Sequence, residues 1–171
     1  GVLEKELWLY RALNGRTIVF SKDIAEKSTT LTYGYDVALG IASIIGKETA
    51  FGEAFHITSD ESYTWKEILE IYLDTIEKKT GMRPKVLLLD KSPHLEWIGA
   101  KWQVILDRYY NRRFDNSKIQ QYIDTSQFVR TESGLISCLE SFLCHPQFKK
   151  MGWGIQGTYD RITGEWAPFS E

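Results

Sequence analysis

What this chain has little of narrows its class before any one residue is singled out. No apolar run approaches the roughly 20 residues needed to span a bilayer, and the N-terminus lacks the basic-then-apolar pattern of a signal peptide. A cytoplasmic location with no membrane partner is therefore expected. Cysteine is scarce, with 2 in 171 residues. Cys138 and Cys144 fall in one predicted helix, about 240° apart around its axis, so they face different ways and read as reduced core residues. His56, His94 and His145 are scattered, with no two at ligand spacing and no Cys-rich partner, so no metal is expected. An excess of one charge is also missing. The chain carries 21 Lys and Arg against 23 Asp and Glu, a net charge of −2. That balance creates no overall attraction to nucleic acid, and no nucleic-acid partner is expected. Internal repeats and low-complexity tracts are absent.

What is present suits a globular domain. Hydrophobic residues make up 43% and aromatics 13% of the chain, enough to fill a sizeable core. Residues 1–171 read as a single α/β domain with an ordered tail at about 146–171. Leu3, Leu7, Tyr10 and Leu13 recur at helical spacing before Gly15, which predicts a helix over 2–14. Thr17 to Phe20 reads as a strand, Ser21 to Thr30 as a surface loop and candidate substrate flap, and Leu31 to Tyr35 as a second short strand. A helix follows from Asp36, with Val37, Ile41, Ile44 and Ile45 as its apolar face and Gly40 and Ala42 set for close packing. Asp36 reads as a structural carboxylate satisfying free N–H groups at that helix start.

The segment from Ala54 to Leu69 is the most informative. Phe55 and Ile57 alternate with polar His56 and Thr58, as in a strand. Thr64 and Glu67 then have capping-box spacing, in which each side chain accepts a hydrogen bond from the other residue's backbone N–H. Trp65, Ile68, Leu69, Tyr72, Leu73 and Ile76 continue at i, i+3, i+4, i+7, i+8 and i+11, predicting a helix over 65–79. Lys85 to Leu89, an unbroken apolar run after Pro84, predicts a strand buried on both faces. Trp102, Ile105, Leu106, Tyr109 and Tyr110 form another apolar stripe, with Arg108, Arg112 and Arg113 near its end. A helix over 133–144 stops before Pro146. The tail from Met151 is Gly- and Trp-rich and aperiodic, with Trp153 and Trp166 expected as anchors.

Together with Tyr33-Gly34-Tyr35-Asp36-Val37-Ala38 and Phe114-Asp115-Asn116-Ser117-Lys118-Ile119, the Phe55 segment resembles the C-terminal half of the extended short-chain dehydrogenase/reductase family, the NAD-dependent epimerase/dehydratase group. The resemblance spans roughly residues 2–145. It implies an α/β fold with a small mixed sheet and packed helices, forming the substrate-binding portion of a larger enzyme. The partners it implies are a missing N-terminal Rossmann domain and a small-molecule, sugar-type substrate, in a complete protein that is a homodimer in many relatives. The chain opens on Gly1 and not Met, which fits an excised piece.

The family's chemistry requires two features that are missing here. One is a Gly-rich turn that lets backbone N–H groups approach a pyrophosphate. The other is a Tyr with a Lys four residues later as the acid or base for hydride transfer. No such turn follows the first predicted strand, where Ser21-Lys22-Asp23 stand, and no tyrosine has that lysine; Tyr63 with Lys66 is one residue short. The resemblance thus implies NAD or NADP in the complete protein, while this chain alone is expected to bind no cofactor and to carry no catalytic residue. Nucleotide-sugar members place an Arg shortly before the position of Asp36, where this chain has Thr29-Thr30-Leu31-Thr32. A second phosphate-binding Arg normally precedes the block at Asp115 to Lys118, and Arg108, Arg112 or Arg113 fits that role, bidentate geometry included. The plainer alternative is that these are solvated charges balancing Asp107 and Asp115. Tyr33, following the expected flap, is a candidate substrate contact, although an aromatic at a strand end is often core. Three functions follow: the substrate-binding domain of a nucleotide-sugar epimerase or dehydratase, that of a reductase of a non-nucleotide carbonyl compound, or a non-catalytic sensor or nucleic-acid-binding relative.

Overall fold

The computed structural model describes residues 3, 5–96, 100–149 and 151–165. The first helix, α1, spans Trp8–Leu13. It is shorter than the expected 2–14, and Gly15 beyond it takes φ +66°. Strand β1, Ile18–Ser21, is buried throughout and pairs in parallel with β4, Val86–Leu89, in the register Ile18 to Val86 through Ser21 to Leu89. Between them lie α2 (Lys22–Ala25), β2 (Ser28–Thr29), α3 (Gly34–Ile44), β3 (Tyr63–Thr64) and α4 (Trp65–Thr80). β2 and β3 form a second, antiparallel two-stranded ribbon. The chain continues through α5 (Ala100–Gln103) into a π-helical turn at Val104–Arg108, and then α6 (Thr131–Cys144) and α7 (Trp153–Thr163).

Helix α4 forms as its sequence dictates. Thr64 Oγ1 accepts from the Glu67 N–H at 3.1 Å, Glu67 Oε2 accepts from the Thr64 N–H at 2.7 Å, and Gly81 ends the helix at φ +75°. Its inward stripe of Trp65, Ile68, Leu69, Leu73 and Ile76 joins Trp8, Leu9, Ile18, Phe20, Ile24, Val104 and Leu139 in the main core. Each fully buried aliphatic side chain there contributes about 1.5–3 kcal/mol. α6 packs against α4.

Several expectations are corrected. The 21–30 stretch is not a bare surface loop: it holds α2 and β2, and Ile24, Ala25 and Thr29 are buried. The second strand falls at Ser28–Thr29, whereas Leu31 to Tyr35 lead into α3 without a ladder. β4 is not buried on both faces, since Val86 and Leu88 remain 37% and 46% exposed. Of the expected apolar face of α3, only Gly40 is closely packed, with Ile57 occupying the space a Cβ would need. Ile41, Ala42 and Ile45 are exposed.

Ala54 to Thr58 enters no ladder. Their amides donate no hydrogen bond among the described residues, and side chains hold the stretch instead, with Asn116 Nδ2 donating to the Thr58 carbonyl and the Ser59 N–H donating to Thr32 Oγ1. The stripe after Ala100 is not one regular face: Val104 reaches the core while Trp102, Leu106 and Tyr110 are exposed. Cys138 and Cys144 are free thiols, as expected, but exposed rather than core.

The Phe114 to Ile119 block forms a single 3₁₀ turn at Ile119–Gln121, not a full helix. The tail is not aperiodic. α7 buries Gln156, Tyr159 and Asp160, and Trp153 at its start is half exposed, edge-on to Tyr10 at 5.6 Å. Trp166 lies outside the described residues.

Candidate functional site

The π-helical turn sets the geometry around the arginines. The Tyr109 N–H donates five residues back to the Val104 carbonyl at 3.1 Å, an extra-wide turn of the kind that often marks functional sites. It sends Val104 into the core and leaves Asp107 and Arg108 above Trp65. The Arg108 guanidinium sits 4.5 Å from the Trp65 ring centroid, a cation–π contact worth about 0.5–2 kcal/mol. Arg108 also pairs with Asp107 Oδ2. The other oxygen of Asp107 binds Arg112 Nη1 at 2.5 Å. One carboxylate therefore spaces two guanidinium groups.

Arg112 is held on its far side by the β2 edge. Its N–H donates to the Ser28 carbonyl at 2.9 Å, its Nη2 donates to Thr29 Oγ1 at 2.5 Å, and its own carbonyl accepts from Thr30 Oγ1 at 3.2 Å. Asn111 Oδ1 accepts from the Ser28 N–H at 3.0 Å. The stretch 111–112 thus runs along Ser28 to Thr30. Two N–H donors here, Trp65 Nε1 and Arg112 Nε, are buried and make no hydrogen bond. The cluster has donors to spare and a net positive charge, which is the chemistry of an anion site.

Of the expected site residues, the structure brings Arg108 and Arg112 together through Asp107. Arg113 is exposed and forms no ion pair among the described residues. Tyr33 stands apart. It packs closely on Gly134 of α6 and lines a small cavity of about 100 Å³ with Leu31, Thr131, Leu135 and Cys138. Asp36 is structural, but through a distant partner: it is buried, and its Oδ2 accepts from the Val129 N–H at 2.9 Å. Sequence reasoning missed Trp65 and Thr29 as members of the arginine cluster, because helix periodicity explained one and a threonine carries no signal of its own. It met Asp107 only as a counter-charge.

Beside this cluster, past the carboxyl ends of β1 and β4, lies a buried polar group. Asp23 Oδ2 accepts from Tyr109 Oη at 2.8 Å and from the Ser92 N–H at 2.9 Å. Burial, followed by this carboxylate, pushes the Tyr109 hydroxyl up to about 12, so it stays protonated at neutral pH. The turn from β1 into α2 reads Ser21-Lys22-Asp23-Ile24, without glycine and with a carboxylate in its first turn. It does not fit a dinucleotide pyrophosphate, which needs close backbone approach and no opposing charge. Among the described residues no three His, Cys, Asp or Glu are placed to hold a metal, and no helix is long and apolar enough to cross a membrane.

No protein-family model matches the chain, and no curated protein matches it in sequence. Solved structures do. Over 80% of this chain and 39% of the other, it superimposes on UDP-glucuronic acid 4-epimerase from Bacillus cereus in complex with UDP-glucuronic acid and NAD, at a TM-score of 0.53 and 18% identity. A second structure of that epimerase, in complex with NAD, gives 0.52 at 18% identity over 79% of this chain and 38% of that one. The chain thus spans about two fifths of the length of the epimerase it matches. At such identity the likeness is one of fold. What is shared is a mixed α/β portion of that architecture.

Proposed function

We propose that this chain is the substrate-binding portion of an NAD(P)-dependent nucleotide-sugar epimerase or dehydratase, in which Arg112, with Arg108 beside it, receives the substrate diphosphate. The observation that carries this reading is the pair of guanidinium groups spaced by Asp107, with Trp65 Nε1 and Arg112 Nε left as spare donors. An entering diphosphate competes with Asp107 for the same forks, forming charge-assisted hydrogen bonds worth about 1.5–3 kcal/mol each. The catalytic Tyr and Lys and the cofactor site belong, in this reading, to a dinucleotide-binding half elsewhere in the polypeptide. Arg113, exposed next to the pair, adds long-range attraction. Tyr33 stays a secondary candidate, since its cavity is lined by α6 and not by the arginines.

A second reading rests on Thr29 to Thr32, which lacks the first family arginine: a reductase acting on a carbonyl substrate without a diphosphate. Kinetics on the complete enzyme separate the two. Arg112→Ala should raise the Michaelis constant for nucleotide sugars roughly tenfold or more, with kcat changed less. Arg108→Ala should follow in the same direction, with some loss of stability from the uncovered Trp65 ring. Wild-type kinetics in all three single alanine variants at 108, 112 and 113 would show these arginines to be solvated surface charge and favour the carbonyl reading.

A further inference from the structure

Strand β4 carries hydrogen-bonding groups that its own sheet does not use. In a parallel ladder alternate residues of a strand face the partner, and the Ile18 N–H donates to the Lys85 carbonyl at 2.8 Å. Lys85, Leu87 and Leu89 therefore face β1, and the N–H and C=O groups of Val86 and Leu88 point the other way. Among the described residues nothing bonds to them, since β1 is the one sheet neighbour of β4 there. Natural sheet edges are blunted by a charge, a proline or a bulge within the strand. Val86-Leu87-Leu88-Leu89 has none of these.

Beside that edge lies a cavity of about 460 Å³, with Phe20, Leu69, Val86 and Leu88 as its floor and Lys66 and Glu70 of α4 on its rim. Val86 and Leu88 stay partly in water. A row of free backbone groups next to an apolar groove is what an added strand requires, the backbone supplying hydrogen bonds and the groove taking alternate side chains. α4 leads back into β4 and runs antiparallel to it, so Lys66 lies nearer Leu88 and Glu70 nearer Val86. The spacing also agrees, since four helix residues rise about 6 Å and two strand residues about 6.6 Å.

We propose that two copies of this chain join through β4, antiparallel about a two-fold axis at Leu87, forming a continuous sheet in the order β1-β4-β4-β1. Antiparallel pairing sets outward-facing residues opposite one another. Val86 of one copy therefore meets Leu88 of the other, each pair exchanging both backbone hydrogen bonds. The same axis turns Lys66 of one α4 towards Glu70 of the other. This self-match selects the occupant. A peptide of either charge meets a like charge on the rim, and one cation beside one carboxylate gives nucleic acid and anionic membranes no net attraction. A two-fold copy meets opposite charges only. Two strands alone are marginal in water, and the second copy doubles them. Lys66 and Glu70 keep their exposed intrachain partners, Glu26 at 3.8 Å and Arg83 at 2.5 Å, so the rim charges set register while the strand edge and the apolar floor supply affinity. The inference is independent of the functional reading above.

Mass and amide hydrogen exchange, measured together on this chain, test the pairing. As concentration rises the chain should become a dimer, and the Val86 and Leu88 amides should slow at least about tenfold, while those of Leu87 and Leu89, facing β1, are slow throughout. Leu88→Pro removes an N–H that points away from β1, so β1 and β4 stay paired while the dimer dissociation constant rises at least about tenfold. Leu88→Lys should act in the same way, with α4 amides as the folding control in both. Lys66→Glu should weaken the dimer about threefold, and adding Glu70→Lys should restore it. A chain that stays monomeric up to about millimolar concentration overturns the inference. So does a dimer in which the Val86 and Leu88 amides stay fast, since its seam then lies elsewhere, as on the exposed face of α3. A dimer that survives both changes at Leu88 with α4 intact overturns it as well, and failure of the Glu70→Lys rescue overturns the two-fold register. In any longer polypeptide that carries this chain the same two amides give the same reading, so the outcome does not depend on the shorter chain folding alone.

Discussion

Gly40 shows how much one missing methyl group can decide. A Cβ built there would lie 2.4 Å from Ile57 Cγ2, closer than any real contact, and the β-branched isoleucine has few rotamers with which to retreat. Gly40→Ala should therefore cost about 1–3 kcal/mol through overpacking, despite the helix propensity that alanine adds. For a chain of this size each kcal/mol lowers the thermal midpoint by about 2–4 °C. Adding Ile57→Ala should return part of the loss, since the clash disappears with the branched side chain. A Gly40→Ala protein melting at or above the wild-type temperature would show that α3 and the 54–58 stretch are not in contact. Gly40 was marked for close packing in the sequence because it sits in an otherwise apolar helix. Its partner could not be read there, since Ile57 lies 17 residues further along the chain.

Among the elements, α4 was legible to within a residue because its signals are local: a capping box at one end, a left-handed glycine at the other, and a continuous apolar stripe. α7 was missed for the opposite reason. It buries polar residues, and their partners lie mostly some 150 residues earlier, on Arg11, Arg16 and the Glu6 and Leu7 carbonyls. Arg11 is fully buried and donates to Asp160 Oδ1 at 2.8 Å, to Gln156 Oε1 at 3.1 Å and to Glu165 Oε2 at 3.0 Å. Arg16 reaches the other oxygen of Asp160 at 2.6 Å. Such a network leaves no period in the sequence. Removing one partner from a buried pair costs about 3–5 kcal/mol, so Arg11→Ala should lower the thermal midpoint by roughly 6–20 °C at about 2–4 °C per kcal/mol.

Acid should act on the same joint. Burial pushes the Glu165 carboxyl up, but hydrogen bonds from Thr17 and Thr163 and the Arg11 charge outweigh it and hold the group below its ordinary 4.5. Its contribution is thus complete above that value and is lost as pH falls through the lower folded-state value. The Trp153 indole resonance, at the start of α7, should move as the pH drops below about 4.5 in the wild type. In Arg11→Ala the joint is already broken, so that shift should be largely gone. An indole signal indifferent to pH in both proteins would mean that α7 is held by something else.

At the scale of the whole molecule, the sequence indicated the α/β class and the two strands, near Thr17–Phe20 and Lys85–Leu89, that pair as β1 and β4. It did not indicate that a third expected strand would stand unpaired or that β4 would keep one face in water, because both depend on long-range neighbours that leave no local pattern. Dinucleotide affinity comes largely from backbone N–H groups cradling a pyrophosphate at a glycine turn. The turn after β1 offers Lys22, already paired with Asp90 at 2.8 Å, and Asp23, whose carboxylate would oppose a phosphate. The arginine cluster is an anion site without an adenosine pocket beside it among the described residues, so it can attract a dinucleotide only through its phosphates. A millimolar dissociation constant corresponds to about 4.1 kcal/mol, which two or three partly screened phosphate contacts do not exceed once the ordering of a flexible dinucleotide is charged against them. Calorimetric titration of this chain with NAD or NADP should therefore give affinity weaker than millimolar, and Arg112→Ala should weaken it further. A micromolar dissociation constant would place a complete cofactor site within these 171 residues and remove the reason for assigning it to another half.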